Sequence, residues 1–188
     1  MACASQWGRL NRRHARTCHT AIRWRAFTLN RSSINIIGHE IRCSIHELPI
    51  WHGAKIKDTY GNKAVLDFHG TPVFAELFAL REFWKLGFDG VWVDTFRRRF
   101  RTQLPETNEP EIILPEFVDS QFSSIIDGAS LSGVWDLLLW RNESIFFVEL
   151  KRSKKDQIRD SQISFLERAI NKGILPQNFE IYEWDVKV

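Results

Sequence analysis

Apolar positions along the chain fall into blocks whose periods differ. In "TPVFAELFALREFWKLGFDG", Val73, Phe74, Leu77, Phe78, Leu80, Phe83 and Trp84 recur at helical spacing. Thr71 suits the cap of that helix, Pro72 its first turn and Gly87 its end. Just upstream, "YGNKAVLDFHG" sets turn residues at both ends of a short apolar run and predicts a strand or hairpin arm. "VWVDTF" reads as a short strand leading into the basic run "RRRFR", Arg97 to Arg101. Residues 102–132 hold three Pro and several acids and read as a long connection with little regular structure. Two strands follow, "VWDLLLW" and "SIFFVELKR", joined by the turn Arg141 to Glu143 as a tight antiparallel hairpin. A helix from about Asp156 to Lys172, ended by Gly173, and a last strand "NFEIYEWDV" close the chain. The order helix, strand, strand, strand, helix, strand predicts an α/β fold, a central mixed sheet flanked by helices.

Polar residues interrupt this pattern where a strand is most buried. Asp136 breaks the first hairpin strand, and Glu149 and Lys151 break the second. A buried charge costs several kcal/mol unless it is paired or holds a metal. Alternation puts Glu149 and Lys151 on one face of their strand, with Val148 and Leu150 on the other. Asp136 shares its face with Leu138, so hairpin pairing lets all three charges converge. Two carboxylates that close repel each other and require a positive charge between them. Lys151 supplies part of it, and a hard cation such as Mg²⁺, which prefers carboxylate oxygens, supplies more. The following helix adds a fourth member. Gln162 falls within its apolar stripe of Ile158, Phe165, Leu166 and Ala169, and an inward polar side chain needs a partner. A D-x12-E-x-K spacing alone matches unrelated strand ends by chance; the two strands and the inward Gln give it context.

Composition and charge narrow the field. The 188 residues allow one domain with a sizeable core plus an appendage. No apolar run approaches the roughly 20 residues that span a bilayer, so a soluble protein without a membrane partner is expected. The three cysteines, Cys3, Cys18 and Cys43, form no disulfide framework and suggest a reducing compartment. The net charge of +3 hides an asymmetry. Residues 1–46 carry eight Arg, no Lys and one acid, Glu40, a charge of +7, which leaves −4 on residues 47–188. The basic segment is open to four readings: a transit peptide, a nucleic-acid arm, a start assigned too early, or a zinc site. Cys3, His14, Cys18, His19, His39 and Cys43 match no common zinc spacing. A disordered basic leader over 1–46 and an organised domain over 47–188 are expected.

The stretch "GVWDLLLWRNESIFFVELKRSKKDQIRDSQISFL" resembles the VRR-NUC domain of the PD-(D/E)xK nuclease superfamily. Asp136, Glu149 and Lys151 occupy the core motif of that pattern, and Ser161-Gln162 with Phe165-Leu166 its helix. Trp135 stands where the family usually has Pro. Upstream, "FAELFALREFWKLGFDGVWVDTF" is similar to the corresponding helix of the Fanconi-associated nuclease branch, so the resemblance covers roughly Thr71 to Asp185. It implies a restriction-endonuclease-like core and a metal-dependent phosphodiesterase acting on structured DNA. Asp136, Glu149 and the Leu150 carbonyl would hold Mg²⁺ or Mn²⁺, Lys151 would orient water or stabilise the phosphorane charge, and Gln162 would position them. The family also places a Glu on or before the first helix. Glu76 and Glu82 are the candidates, and Glu76, beside Val73, Leu80 and Phe83, is chosen.

A nuclease needs cations for backbone phosphates. Arg97, Arg98, Arg99 and Arg101, with Lys154, Lys155 and Arg159, form the basic clusters expected to touch DNA. Flap and branched DNA are the substrates the resemblance implies, with a homodimer among the states it allows. A DNA substrate implies an intracellular location, the nucleus in a eukaryote or the cytoplasm in a bacterium. Two other functions fit the residues: an inactive nuclease fold that binds nucleic acid, and an unrelated α/β domain whose charges align by chance. Convergence of the charged side chains in space separates the last from the rest.

Overall fold

The computed structural model describes residues 31–57, 60–106, 109–128 and 131–187. The fold is mixed α/β, built on one seven-stranded mixed sheet. Its strands in chain order are β1 (Arg31–Ile36), β2 (His39–Leu48), β5 (Asp89–Asp94), β6 (Arg99–Arg101), β7 (Leu137–Arg141), β8 (Ser144–Arg152) and β9 (Phe179–Val186). A separate hairpin contributes β3 (Leu66–Phe68) and β4 (Thr71–Val73). The helices are α1 (Ala75–Lys85), α2 (Glu116–Ile126) and α3 (Asp160–Asn171). Strand order across the sheet is β1-β2-β9-β8-β7-β5-β6. β9 runs parallel to both β2 and β8, and the other pairs are antiparallel.

Apolar alternation on the central strands explains why helices cover both faces. On β7 and β8, Leu138 and Phe147 face α2 and α3 in a cluster with Val118, Phe122, Phe165, Leu166 and Ile181. Leu137, Leu139, Val148 and Leu150 face the other way, onto Phe74, Leu77 and Leu80 of the α1 layer. The β7–β8 hairpin closes through Asn142 and Glu143, between the paired Arg141 and Ser144. Both turn residues have positive φ, 49° and 60°, the geometry that matches the twist of a two-residue hairpin. β8 and β9 are joined through α3, the connection that a parallel pair requires.

Four expectations are corrected. The sheet begins at Arg31, so the boundary at residue 46 is too late. β1 and β2 pair with each other, and β2 pairs with β9 from Arg42↔Glu180 to Leu48↔Val186. The rest of the expected leader, with Cys3, His14, Cys18 and His19, lies outside the described residues, and Cys43 is a free buried thiol. Thr71 and Pro72 belong to β4 and do not open α1, whose N-cap is Phe74. Pro is tolerated there because a two-stranded hairpin leaves edges. The 102–132 connection contains α2, which starts directly after Pro115 and buries Val118, Phe122, Ile125 and Ile126. Finally, α3 starts at Asp160, four residues later than expected. Among the described residues, no helix is long and apolar enough to cross a membrane.

Candidate active site

β8 is a central strand, so its inward side chains have nowhere to go but the sheet–helix interface. Glu149 and Lys151 lie on the α3 side and are buried, at 2% and 7% exposure. Asp136 precedes β7 by one residue; its carbonyl accepts from Val93 N–H (2.8 Å), and its Oδ2 accepts from Leu150 N–H (2.9 Å). These two bonds tie the Asp136 backbone to β5 and its carboxylate to β8. α3 delivers Gln162 from its first turn. Gln162 Oε1 accepts from Lys151 Nζ (2.9 Å) and from Arg159 N–H (3.0 Å), while its Nε2 donates to Glu149 Oε1 (2.5 Å). Lys151 Nζ lies 3.0 Å from the same Glu149 oxygen. Asp136, Glu149, Lys151 and Gln162 therefore converge, in the floor of a cleft of about 980 Å³. That convergence is what a shared site for these four residues requires.

Glycine and tryptophan hold α3 against this cluster. Gly133 has φ +81°, and a Cβ there would meet the Ser161 carbonyl oxygen at 2.2 Å. Only glycine lets the segment before β7 approach the start of α3 so closely. Two residues on, the Trp135 indole N–H donates to the Gln162 carbonyl at 3.2 Å.

Of the two helix glutamates, Glu76 lines the cleft and is buried at 8% exposure. Glu82 pairs instead with Lys85 on the outer surface of α1 (2.7 Å). Glu76 accepts from Lys63 Nζ, a residue that sequence patterning did not single out because it sits between turns with no periodic neighbours. The Lys63 ammonium also lies 4.9 Å above the Trp92 ring and within reach of Tyr60 and Phe74. Burial acts to lower its pKa, but Glu76, Asp136 and Asp94 together carry it above the ordinary value.

The electrostatics are those of crowded acids. Burial, then the charges of Glu149 and Glu76, push Asp136 well above the usual carboxylate range. Burial also raises Glu149, against the pull of Lys151 and Gln162. Among the described residues, no three His, Cys, Asp or Glu side chains are gathered closely enough, as they stand, to hold a metal ion. The donor chemistry nevertheless suits a hard divalent cation. Two carboxylates repel across the floor, and Glu149 Oε2 is buried with no hydrogen-bond partner. Lys63 supplies a positive charge beside them. Replacing it should therefore expose a competition between cations. Lys63→Met is expected to lower the melting temperature without metal and to enlarge the rise caused by Mg²⁺. Thermal melts with EDTA and with Mg²⁺ check this; an unchanged Mg²⁺ shift would deny Lys63 that place.

The expected DNA-contacting residues divide. Arg98, Lys155 and Arg159 line the cleft, and Arg97 lines a hollow beside it. Lys154 is exposed in the turn after β8 but does not line the cleft. Arg99 lines a separate cavity with Glu109, Glu111 and Asp119. Arg101 is a correction. It is 4% exposed, donates to Asp94 at 2.7 Å and pairs with Glu109, so its guanidinium is committed inside the protein. Arg101 pairs with Trp92 deep in the β5–β6 ladder, whereas Arg99 shares its face but sits exposed at the turn, a difference that a count of consecutive arginines conceals. Asp94 also accepts from the Tyr60 hydroxyl (2.5 Å) and Arg97 N–H (3.0 Å). Burial pulls the Asp94 carboxyl upward, but these donors and Arg101 hold it below its usual range. Compared with known protein families, curated proteins and solved structures, the chain matches none.

Proposed function

We propose that the protein is a metal-dependent DNA phosphodiesterase of the PD-(D/E)xK type, with a restriction-endonuclease-like core, cutting flap or branched DNA in repair or replication. The observation that carries this reading is the convergence of Asp136, Glu149, Lys151 and Gln162, with Glu149 and Lys151 buried, in an open cleft edged by Arg98, Lys155 and Arg159. Residues that only stabilised the fold would be better replaced by apolar side chains, since buried ion pairs seldom repay their desolvation.

Asp136, Glu149 and the Leu150 carbonyl would hold Mg²⁺ or Mn²⁺, with Glu76, paired with Lys63, lining the same cleft. The ion supplies Lewis-acid polarisation of the phosphate and a bound water of lowered pKa. Lys151 is already fixed by Glu149 and Gln162, so its ammonium is preorganised to stabilise charge developing on the phosphoryl oxygens. Gln162 keeps Lys151 and Glu149 in register from α3. Arg98, Lys155 and Arg159 neutralise the backbone phosphates on either side. The site of action follows the DNA, in a nucleus or a bacterial cytoplasm, and a homodimer remains compatible with two cuts on one branched substrate.

A second reading, a nucleic-acid-binding module of the same fold without catalysis, is favoured by the Lys63–Glu76 pair, which already neutralises one acid. Labelled 5′-flap, four-way-junction and single-stranded DNA, incubated with Mg²⁺ or Mn²⁺, separate the two. Wild type is expected to cut, and Lys151→Met to cut about 10²–10³-fold more slowly, the cost of losing one preorganised donor. A folded, metal-bound wild type that cuts nothing would overturn the nuclease reading and leave the binding module.

A further inference from the structure

A second hollow of about 510 Å³ opens off the cleft and shares Lys63, Asp136, Thr95 and Phe96 with it. Its aromatic wall is made of Tyr60, Trp92 and Phe96. Phe96 sits in the turn between β5 and β6, which the Asp94↔Arg99 pair closes, and is 83% exposed. It is the most exposed large aromatic side chain among the described residues. Its ring centroid lies 6.4 Å from that of Tyr60, at 63°, and the Arg97 guanidinium stacks 4.1 Å over Tyr60. Arg97 and Arg98 follow Phe96 in the same turn; Arg97 lines the hollow and Arg98 lines the cleft.

The turn itself is anchored. Asp94 accepts from the Arg97 N–H, the Tyr60 hydroxyl and the buried Arg101, so the loop carrying Phe96 is pinned at its base. An exposed aromatic held on a fixed loop, with cations on the same turn, has the chemistry of a single-strand platform. Aromatic faces stack bases and arginines track phosphates. A base inside a duplex already has both faces covered by its neighbours. An unpaired base, unlike one inside continuous duplex, can turn a face to Phe96.

We infer that this hollow receives the base of an unpaired nucleotide adjoining the phosphate that the Asp136–Glu149 cluster cuts, with Phe96 as the stacking platform and Arg97 and Arg98 on the flanking phosphates. This inference rests on the nuclease reading and deepens it. The substrate class becomes DNA with a single-stranded nucleotide at the cut, a flap or an opened junction, over continuous duplex.

The test uses the full chain in Ca²⁺ with oligonucleotides carrying 2-aminopurine, either at the first flap nucleotide or within continuous duplex. Wild type is expected to quench the flap probe on binding and to bind the flap more tightly than the duplex. Phe96→Ala should lose the quench and weaken flap binding about tenfold, within the range for loss of one base stack, with duplex binding unchanged. Phe96→Trp should restore both. Because the side chain is exposed, Phe96→Ala should melt as wild type does. Equal flap binding by wild type and Phe96→Ala, or equal wild-type affinity for flap and duplex, would overturn the inference. Cleavage with Mg²⁺, followed in parallel, keeps this separate from the nuclease reading. Wild-type cutting with an indifferent Phe96 sinks only the base site, and absent cutting with an intact Phe96 effect sinks only the catalysis.

Discussion

Glu149→Gln is expected to slow cleavage by about a thousandfold or more while raising the melting temperature of the metal-free protein. The two effects have one cause. Glu149 is 2% exposed, its Oε1 is held by Lys151 and Gln162, and its Oε2 has no partner. A buried anion so placed is an energetic burden that the Lys151 ammonium offsets only in part, since burial still raises its pKa. Gln keeps the shape and the Oε1 acceptor, and its new N–H group can donate to the neighbouring Asp136 carboxylate. The unsatisfied oxygen and the acid–acid repulsion both disappear, for a gain of about 1–3 kcal/mol. Catalysis loses the charge that would draw the metal and fix Lys151, and a site lacking such preorganisation forfeits its largest contribution to rate.

The pH dependence has a definite sign. Burial raises the Glu149 carboxyl in the folded, metal-free protein above its ordinary 4.5. Its contribution to stability is therefore fully present below about pH 4.5 and is lost as pH rises through the raised folded value. Glu149→Gln lacks that loss. The melting-temperature difference between variant and wild type, measured in EDTA, should widen from about pH 4.5 upward. A variant that melts below wild type at pH 8, or that cuts DNA as fast, would contradict this account.

The chain announces its centre more clearly than its edges. The hairpin of β7 and β8 is legible because two apolar runs flank a short turn, and because Glu149 and Lys151 break an otherwise apolar strand at one parity. α3 is legible from the stripe that carries Gln162. β1 and β2 are not, since an edge pair buries little on one side and reads as a polar, Arg- and Ser-containing segment. The helical spacing of Val118, Phe122, Ile125 and Ile126 was present in the sequence, but the prolines and acids around it suggest a loop. Lys63 and Phe96 reach the site from irregular segments, where no period exists to reveal direction. Arg101 shows the opposite failure, a charge run read as one surface although its last member lies inside the β5–β6 ladder and is buried against Asp94.

Trp135→Ala should cost about 3–5 kcal/mol of stability, the range for removing a large aromatic side chain from a packed core. Trp135 is fully buried, and its ring meets Phe179 edge-on at 5.1 Å between centroids. Phe179 in turn stacks on Phe147 of β8, so the indole links the segment before β7 to β8 and β9. It also reaches α3 through its N–H on the Gln162 carbonyl. A proline here, as the resembling family usually has, would provide neither the volume nor the donor. In this chain the volume between β9 and α3 is filled by the tryptophan itself. Trp135→Phe separates the two contributions, since it keeps an aromatic ring but leaves the Gln162 carbonyl without its donor, a loss of about 1–3 kcal/mol. Because that carbonyl belongs to the residue that positions Lys151 and Glu149, Trp135→Phe should also slow cleavage more than it weakens DNA binding. Urea unfolding of the three proteins, with kcat and KM measured under conditions where each is folded, checks both parts. Should Trp135→Phe match wild type in kcat, the indole would be a packing residue alone, and α3 would hold Gln162 in place through Gly133 and the apolar stripe.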